Sequence, residues 1–288
     1  MALPSVVFYL KSSNFVFIIV LIFFLKSADN QFGFKKGVGC SHAIYTVRKY
    51  VELFNNGGST VNLCAIDISK AYDKCNHFAL FTKLMERNIP SQLLAVLENW
   101  FSNCWTCVKW GLSTSDFFKI DYGVRQGSVL SPYLFAVVID SIARLSTFGQ
   151  AFLIVLYADD ILLLSPSDCD LQRLFSKCET ILSTLDMAIN TKKSCCIRIG
   201  PRCDSVCDNI LSKSGSALPW VNEIRYLGIS IVKSRIFKCD TSCAKRAFYK
   251  SLNAVFGKVG RIASEEVVLE LVSKICMPFF YMVLKYVL

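Results

Sequence analysis

The chain has 288 residues, enough to bury a sizeable core as one large domain or two small ones. Lys and Arg number 32 against 22 Asp and Glu, giving a formal net charge of +10. That balance suits a polyanionic partner such as nucleic acid, although many basic proteins bind none. The 14 cysteines do not make it a secreted disulfide scaffold, because apolar runs account for a core without staples; they are expected mostly as reduced, buried thiols.

The first element is an apolar run of eleven residues, Phe15–Leu25, flanked by Lys11 and Lys26. It is shorter than the roughly 20 residues a spanning helix needs, and no convincing small-x-small cleavage site follows it. Residues 1–30 are therefore expected as an apolar leader of separate origin. The chain is read as intracellular, in cytoplasm or nucleus, with membrane association through the leader as the alternative.

Farther on, Val61–Ser69 is an apolar β-type run interrupted by Asp67. A helical pattern follows from Lys70 to Arg87, with Ala71, Cys75, Phe78, Phe81 and Met85 at helical spacing. Taken alone, Asp67 reads first as a strand-end residue capping the next helix. Pro90 breaks the pattern, and Ser91 is expected to cap a second helix through Phe101. Two strands, Cys107–Lys109 and Phe117–Tyr122, are expected around a turn starting at Gly111. Asp121–Pro132 is a glycine-containing loop running into a helix, with Ser131 as N-cap and Pro132 at the first helical position. Arg125, Gln126 and backbone N–H groups near a helix start suit a polyanion, and equally an ordinary loop. The helix runs to about Leu145 and is apolar nearly all round, as expected beneath a sheet.

The most telling stretch is Leu153–Leu164, where Asp159 and Asp160 sit between two apolar runs. It reads as a β-hairpin whose tight turn carries both carboxylates. Paired like charges are costly to bury without compensation, and hard oxygen ligands suit Mg²⁺. The alternative is a purely structural turn, since Asp is a common turn residue. With Asp67 at the end of a neighbouring strand, three carboxylates could hold two Mg²⁺ ions for in-line phosphoryl transfer.

An amphipathic helix is expected over Asp168–Ile189, then strands near Cys195–Ile199 and Ile224–Ile231, with a surface loop over 200–220 between them. From Lys233 to Arg261 eight basic residues face one acid, Asp240, with Phe237, Phe248, Tyr249 and Phe256 interleaved. This reads as a basic helical element that tracks a phosphate backbone; a solvated helix face and a membrane-surface helix are the alternatives. Cys104 and Cys107 have zinc-type spacing but lack a matching second pair with histidine.

Several blocks together resemble, in order, the reverse transcriptase domain of non-LTR (LINE-type) retrotransposons. They are Gln31–Gly37 with Ser41, His42 and Ala43; Asp67–His77; Gly123–Pro132; Tyr157-Ala-Asp-Asp160; Asn190–Ser194; and Tyr226-Leu-Gly-Ile229. The resemblance covers roughly residues 31–231 and implies truncation at both ends. It also implies the fold: α+β, a polymerase palm with an antiparallel sheet backed by helices, partial fingers, and a partial helical thumb over 232–288.

Roles follow from the same resemblance. Asp67 and Asp159 would bridge the metals, with Asp160 as third carboxylate and the Ile68 carbonyl beneath the triphosphate. Tyr72 matches the position that blocks a ribose 2′-hydroxyl; the family more usually has Phe there. Gln126 matches the residue beneath the incoming nucleotide, with Arg125 beside it, and Lys193 matches a lysine near the triphosphate. Tyr226, Leu227 and Gly228 would hold the primer end. The implied activity is RNA-directed DNA polymerisation with two Mg²⁺ ions, an RNA template, a DNA primer and deoxynucleoside triphosphates. The fingers' basic residues and an endonuclease are expected to be missing. Two rival readings are a catalytically inactive nucleic acid-binding relic and a membrane-tethered protein.

Overall fold

The computed structural model describes residues 21–22, 24–125, 127–145, 151–240, 242–260 and 262–277, with only the backbone of Cys243 and Ala244. The fold is built on β1 (Val61–Ile66), whose residues are nearly all buried, as a continuous apolar run covered on both faces demands. It pairs antiparallel with β7 (Asp160–Ser165) on one side and β8 (Cys195–Ile199) on the other, while β6 (Leu153–Tyr157) pairs with β7 at the edge. The sheet order is thus β6-β7-β1-β8, all antiparallel, an α+β arrangement as expected.

Strand alternation divides the sheet into two faces. Cys64, Ile66, Ile154, Leu156, Ile161 and Leu163 pack with helices, namely α2 (His77–Glu86), α3 (Ser91–Ser102), α4 (Ser131–Ala143) and α5 (Asp168–Thr184). The alternate residues Val61, Leu63, Val155, Leu162 and Leu164 pack with α1 (Cys40–Asn56) and a second, three-stranded sheet. That sheet is β9 (Glu223–Tyr226), β10 (Ile229–Val232) and β11 (Lys238–Asp240), in the order β11-β10-β9. On the helical side α4 is buried on nearly every face, with Phe135, Val137, Val138, Ile139 and Ile142 inaccessible. Each such side chain contributes about 1.5–3 kcal/mol by burial, before the entropy of ordering is counted.

The fold departs from expectation at several points. The helix expected from Lys70 begins only at His77, because Lys70 takes a positive φ of 50° and the Asn76 side chain caps the helix, accepting from the Phe78 and Ala79 amides. Neither expected serine is a cap: Pro90 precedes α3, where Ser91 is already helical, and the N-cap of α4 is Leu130, whose N–H donates to the Ser128 hydroxyl. The two strands expected around Gly111 are four two-residue strands, β2 (Trp105–Thr106) with β5 (Phe118–Lys119) and β3 (Lys109–Trp110) with β4 (Ser113–Thr114). Ser115 interrupts them by bonding Val108 through both backbone and hydroxyl. The helix expected to Ile189 ends at Thr184, and Asp186 turns the chain with a positive φ of 58°.

The basic stretch after Lys233 is helical only from α6 (Ser242–Val259). Its first part completes the β10–β11 hairpin, where Lys233 pairs with Asp204 at 3.1 Å. The apolar side of α6 packs on α7 (Glu265–Leu271) and the π-helical turn Val272–Cys276 through Phe248, Leu252, Val255 and Val259. Lys245, Lys250 and Lys258 face solvent. Within the loop over 200–220, Ile210 and Leu218 reach back into the core.

The end of the apolar N-terminal run belongs to the fold. Leu21 and Leu25 are buried in the helical core, and the Ala28 amide bonds the Asp140 carboxylate at 2.9 Å. Residues before Leu21 lie outside the described part, as do Gln126 and the chain after Met277. Among the described residues no helix is long and apolar enough to cross a membrane. The described cysteines, including Cys104 and Cys107, are free thiols, several of them only half-buried and Cys169 exposed.

Candidate active site

Two strand ends create the site. The β1–β7 ladder runs to Ile66 opposite Ile161, and one further step sets Asp67 opposite Asp160. Both side chains then share a face with Leu63, Leu162 and Leu164, the face covered by α1 and the β9–β10 hairpin. Asp159 lies in the two-residue turn between Tyr157 and Asp160. The turn needs a positive φ at its first residue, and Ala158 supplies it at 55°. Of the two expected turn carboxylates, only Asp159 lies in the turn; Asp160 is the first residue of β7.

The three carboxylates act on one another. Asp160 keeps solvent contact at its edge, yet its carboxyl is crowded enough that burial pushes its pKa to about 6. The charges of Asp159 and then Asp67 add to that rise. Such mutual repulsion is what a cation relieves.

Asp67 is held rigidly. Its amide donates to the Ser194 hydroxyl at 3.1 Å, and its carbonyl accepts from the Asn190 amide at 2.8 Å. The Ser69 amide bonds the Ala188 carbonyl at 2.9 Å, so the bonds of the Ile68–Ile189 bridge are made by flanking residues. The Ile68 carbonyl therefore faces away from Ile189, toward the side of β1 where β7 begins with Asp160. The same turn places exposed Lys193 directly before Ser194.

The Asp121–Pro132 loop is bolted to the turn after Asp67. The Val124 amide bonds the Tyr72 carbonyl at 2.7 Å, the Gly123 amide bonds the Cys75 carbonyl at 2.8 Å, and His77 Nε2 lies 2.8 Å from the Gly123 carbonyl. Gly123 has a φ of +89°, and a Cβ there would meet the Asp73 carbonyl oxygen at 2.7 Å, so only glycine fits. Tyr72 stacks on Phe135 at 4.7 Å between centroids. Burial, then the charge of Asp159, pushes the Tyr72 phenol up to about 12. Arg125 is half-buried on this loop, and burial lowers its pKa against the opposing charge of Cys104.

The last predicted segment is the turn Leu227-Gly228 between β9 and β10. Both residues have positive φ, 45° and 84°, as a type I′ hairpin requires. Tyr226 points inward, 3% exposed, and Leu227 is half-buried against the same cluster, so only Gly228 of the turn is exposed. Burial first, then the charge of Asp160, holds the Tyr226 phenol well above its ordinary range; its hydroxyl has no hydrogen-bond partner.

The structure thus brings Asp67, Asp159, Asp160, Tyr72 and Tyr226 together electrostatically, and ties Ile68, Lys193 and the Arg125 loop to them through backbone. Among the described residues no three His, Cys, Asp or Glu side chains are arranged to hold a metal ion by themselves. Mg²⁺ commonly takes only one or two carboxylates and completes its shell with water and substrate phosphates, so the donor set remains a fit. The sequence did not reveal a buried ion-pair cluster in the helical layer. Asp140, buried in α4, accepts from Ala28 and pairs with Arg87 at 2.8 Å and Arg144 at 3.0 Å. The one signal was an acid in an otherwise apolar helix.

An antiparallel sheet with helices behind it, and acids where a strand end meets a hairpin turn, defines the palm of a nucleic acid polymerase. The chain belongs to the family "Reverse transcriptase (RNA-dependent DNA polymerase)", whose model matches residues 18–231. That match starts within the apolar N-terminal run, in keeping with the burial of Leu21 and Leu25. The chain is similar to the Pol polyprotein of the type-1 R2 element of Popillia japonica, with 26% identity over 68% of this chain and 35% of that protein. It is similar to that of the R2DM element of Drosophila melanogaster, with 25% identity over 73% of this chain and 21% of the other. The polymerase of the jockey element of Drosophila funebris gives 25% identity over 76% and 25%. All are non-LTR elements, as the motifs implied, and the chain spans about a third of their length or less. Among solved structures, the telomerase of Candida tropicalis shares the fold, with TM-score 0.58, 16% identity and coverage of 94% of this chain and 45% of that one.

Proposed function

We propose that this chain carries the polymerising palm of a non-LTR RNA-directed DNA polymerase, adding deoxynucleotides to a primer 3′-hydroxyl along an RNA template. The observation that carries this reading is the strand register that sets Asp67 opposite Asp160, with Asp159 in the adjoining turn. In it, residues 31–231 are the palm with residual fingers and 232–288 a thumb-like segment.

Asp67, Asp159, Asp160 and the Ile68 carbonyl would hold two Mg²⁺ ions. When bound, Mg²⁺ neutralises the reacting phosphates and makes the attacking hydroxyl more acidic. The chain's own part is positioning. Tyr72, fixed against Phe135, sets the bulk that meets the sugar of the incoming nucleotide. Arg125, Gln126 and Lys193 supply donors and charge around its base and phosphates. The Leu227-Gly228 turn, braced by buried Tyr226, presents backbone to the primer end. Lys245, Lys250 and Lys258 on α6 line up charge for the duplex backbone.

Primer extension on an RNA template with Mg²⁺ and deoxynucleotides, beside an Asp159→Asn control, tests this reading. Synthesis that the substitution abolishes supports it. The exposed lysines of α6 favour a second reading, a nucleic acid-binding relic. Salt-dependent duplex binding with no synthesis by the unaltered chain would replace the first reading with the second.

A further inference from the structure

The catalytic turn is supported from an unexpected place. Ala158 is buried and left-handed, so its N–H cannot turn to water and no strand partner lies opposite it. The acceptor is the side chain of Gln31, 127 residues earlier, whose Oε1 takes the Ala158 amide at 3.2 Å and the Gly33 amide at 2.9 Å. Two N–H donors on one oxygen fix the orientation of the carboxamide, since the flipped form would set its NH₂ against them. Gln31 is itself 1% exposed.

The backbone around Gln31 is fixed as firmly. The Phe32 amide bonds the Leu156 carbonyl at 2.8 Å, and the Leu156 amide bonds the Asn30 carbonyl at 2.9 Å, making a parallel bridge to β6. The Asn30 side chain donates to the Ala143 carbonyl at 2.9 Å, which anchors this segment to α4. Gly33 lies so close to the turn that a Cβ would come within 2.6 Å of the Ala158 nitrogen. The segment Asn30–Gly33 is thus a rigid brace whose polar end meets a buried backbone group of the turn.

We propose that Gln31 is a positioning residue of the active site: its carboxamide holds the Ala158 amide, and so fixes where Asp159 points. This rests on the proposed role of Asp159 only for its catalytic consequence; the brace itself is judged without any activity. Gln31 touches no reacting atom in this account. Losing its acceptor leaves a buried N–H unpaired, and the turn recovers a partner only by moving.

The first measurement is amide exchange at Ala158 in the full chain, read by NMR with ¹⁵N-alanine labelling. Gln31→Leu should lower protection of that amide by about tenfold or more while alanines elsewhere, such as Ala136 in α4, keep theirs. Unchanged protection at Ala158 would overturn the proposal. Gly33→Ala, whose Cβ would press on the Ala158 nitrogen at 2.6 Å and crowd Gln31 Oε1 at 3.2 Å, is the second variant. It should shift the Ala158 resonance, and no shift would also count against the brace.

The second measurement is single-turnover nucleotide addition. Gln31→Leu should slow addition by about 10- to 100-fold and raise the Mg²⁺ concentration for half-maximal rate, with duplex affinity unchanged. Val51→Ala, a core substitution in α1 away from the turn, controls for lost stability and should leave the Mg²⁺ requirement in place. If Gln31→Leu behaves like Val51→Ala in both rate and Mg²⁺ requirement, Gln31 is structural only and the proposal fails. A wild-type chain that shows no synthesis defeats the polymerase reading, and the exchange experiment then decides the brace alone.

Discussion

Two hairpin turns meet over the same face of the sheet, and they solve one geometric problem differently. The Leu227-Gly228 turn needs two positive φ values and meets the second with glycine, the residue that adopts it without a Cβ penalty. The Ala158-Asp159 turn has alanine in the left-handed position and is held by a side chain from a distant segment. A left-handed alanine costs about 1–2 kcal/mol, as does left-handed Leu227 in the other turn; what sets the inner turn apart is the Gln31 side chain that holds it. The difference shows where flexibility is tolerated: the outer turn presents backbone, while the inner one must hold a carboxylate still.

The largest test of that contrast is Asp159→Asn, which keeps the size of the turn residue and removes its charge. Nucleotide addition should fall on the order of a thousandfold or more, with the melting temperature held or raised as repulsion is relieved. A variant that still synthesises at the wild-type rate would remove Asp159 from the chemistry. Next in size are two exchanges at the turns themselves. Gly228→Ala forces a side chain into φ +84° and should cost about 1–2 kcal/mol in denaturant unfolding. Ala158→Gly should leave stability level or higher by up to about 1 kcal/mol, because strain relief offsets added chain entropy, yet it should slow nucleotide addition. Equal losses of stability at both positions would show that the inner turn is not strained.

Acidity offers a smaller, graded test. Asp160 is raised to about 6, above the ordinary carboxylate value near 4 that the unfolded chain keeps. Between those values the folded state binds more protons, so the metal-free chain should lose stability as the pH rises from about 4 to about 6 and level off above that. Mg²⁺ competes with that proton, and its affinity should climb over the same interval. Thermal unfolding with and without Mg²⁺, compared with Asp160→Asn, reads both; an unchanged pH profile in the variant would assign the effect elsewhere. The smallest expected effect is at Tyr226. Removing a buried hydroxyl that has no partner should leave stability level or raise it by up to about 1 kcal/mol in Tyr226→Phe. A clear loss would show that the hydroxyl is bonded in solution.

Much of this was legible in the sequence because the signals are local. Continuous apolar runs around Asp67 and Asp159-Asp160 gave the strands, whereas the Leu227-Gly228 turn, which splits the single strand expected over Ile224–Ile231, came only from the family resemblance. Boundaries slipped where a side chain competes with the backbone, as at Asn76, which starts α2 later than its apolar spacing suggests. What stayed hidden are contacts made across more than a hundred residues. Nothing near Gln31 announces that its oxygen ends on Ala158, and nothing near Ala28 announces Asp140. Leu21 and Leu25 read as part of a leader because apolar residues look alike in a membrane and in a core. The Asp140 cluster also went unread: an acid among apolar neighbours must find partners, but which ones, Arg87 and Arg144, only the fold shows.

The claim that carries the rest is that Asp67, Asp159 and Asp160 form one cation site. Titration of the folded chain with Mn²⁺, followed by electron paramagnetic resonance, measures it directly, with Asp159→Asn and Asp67→Asn alongside. The account predicts saturable Mn²⁺ binding that strengthens as the pH rises through about 6 and weakens at least about tenfold in either variant. Binding that is equally tight in the wild type and both variants would contradict it.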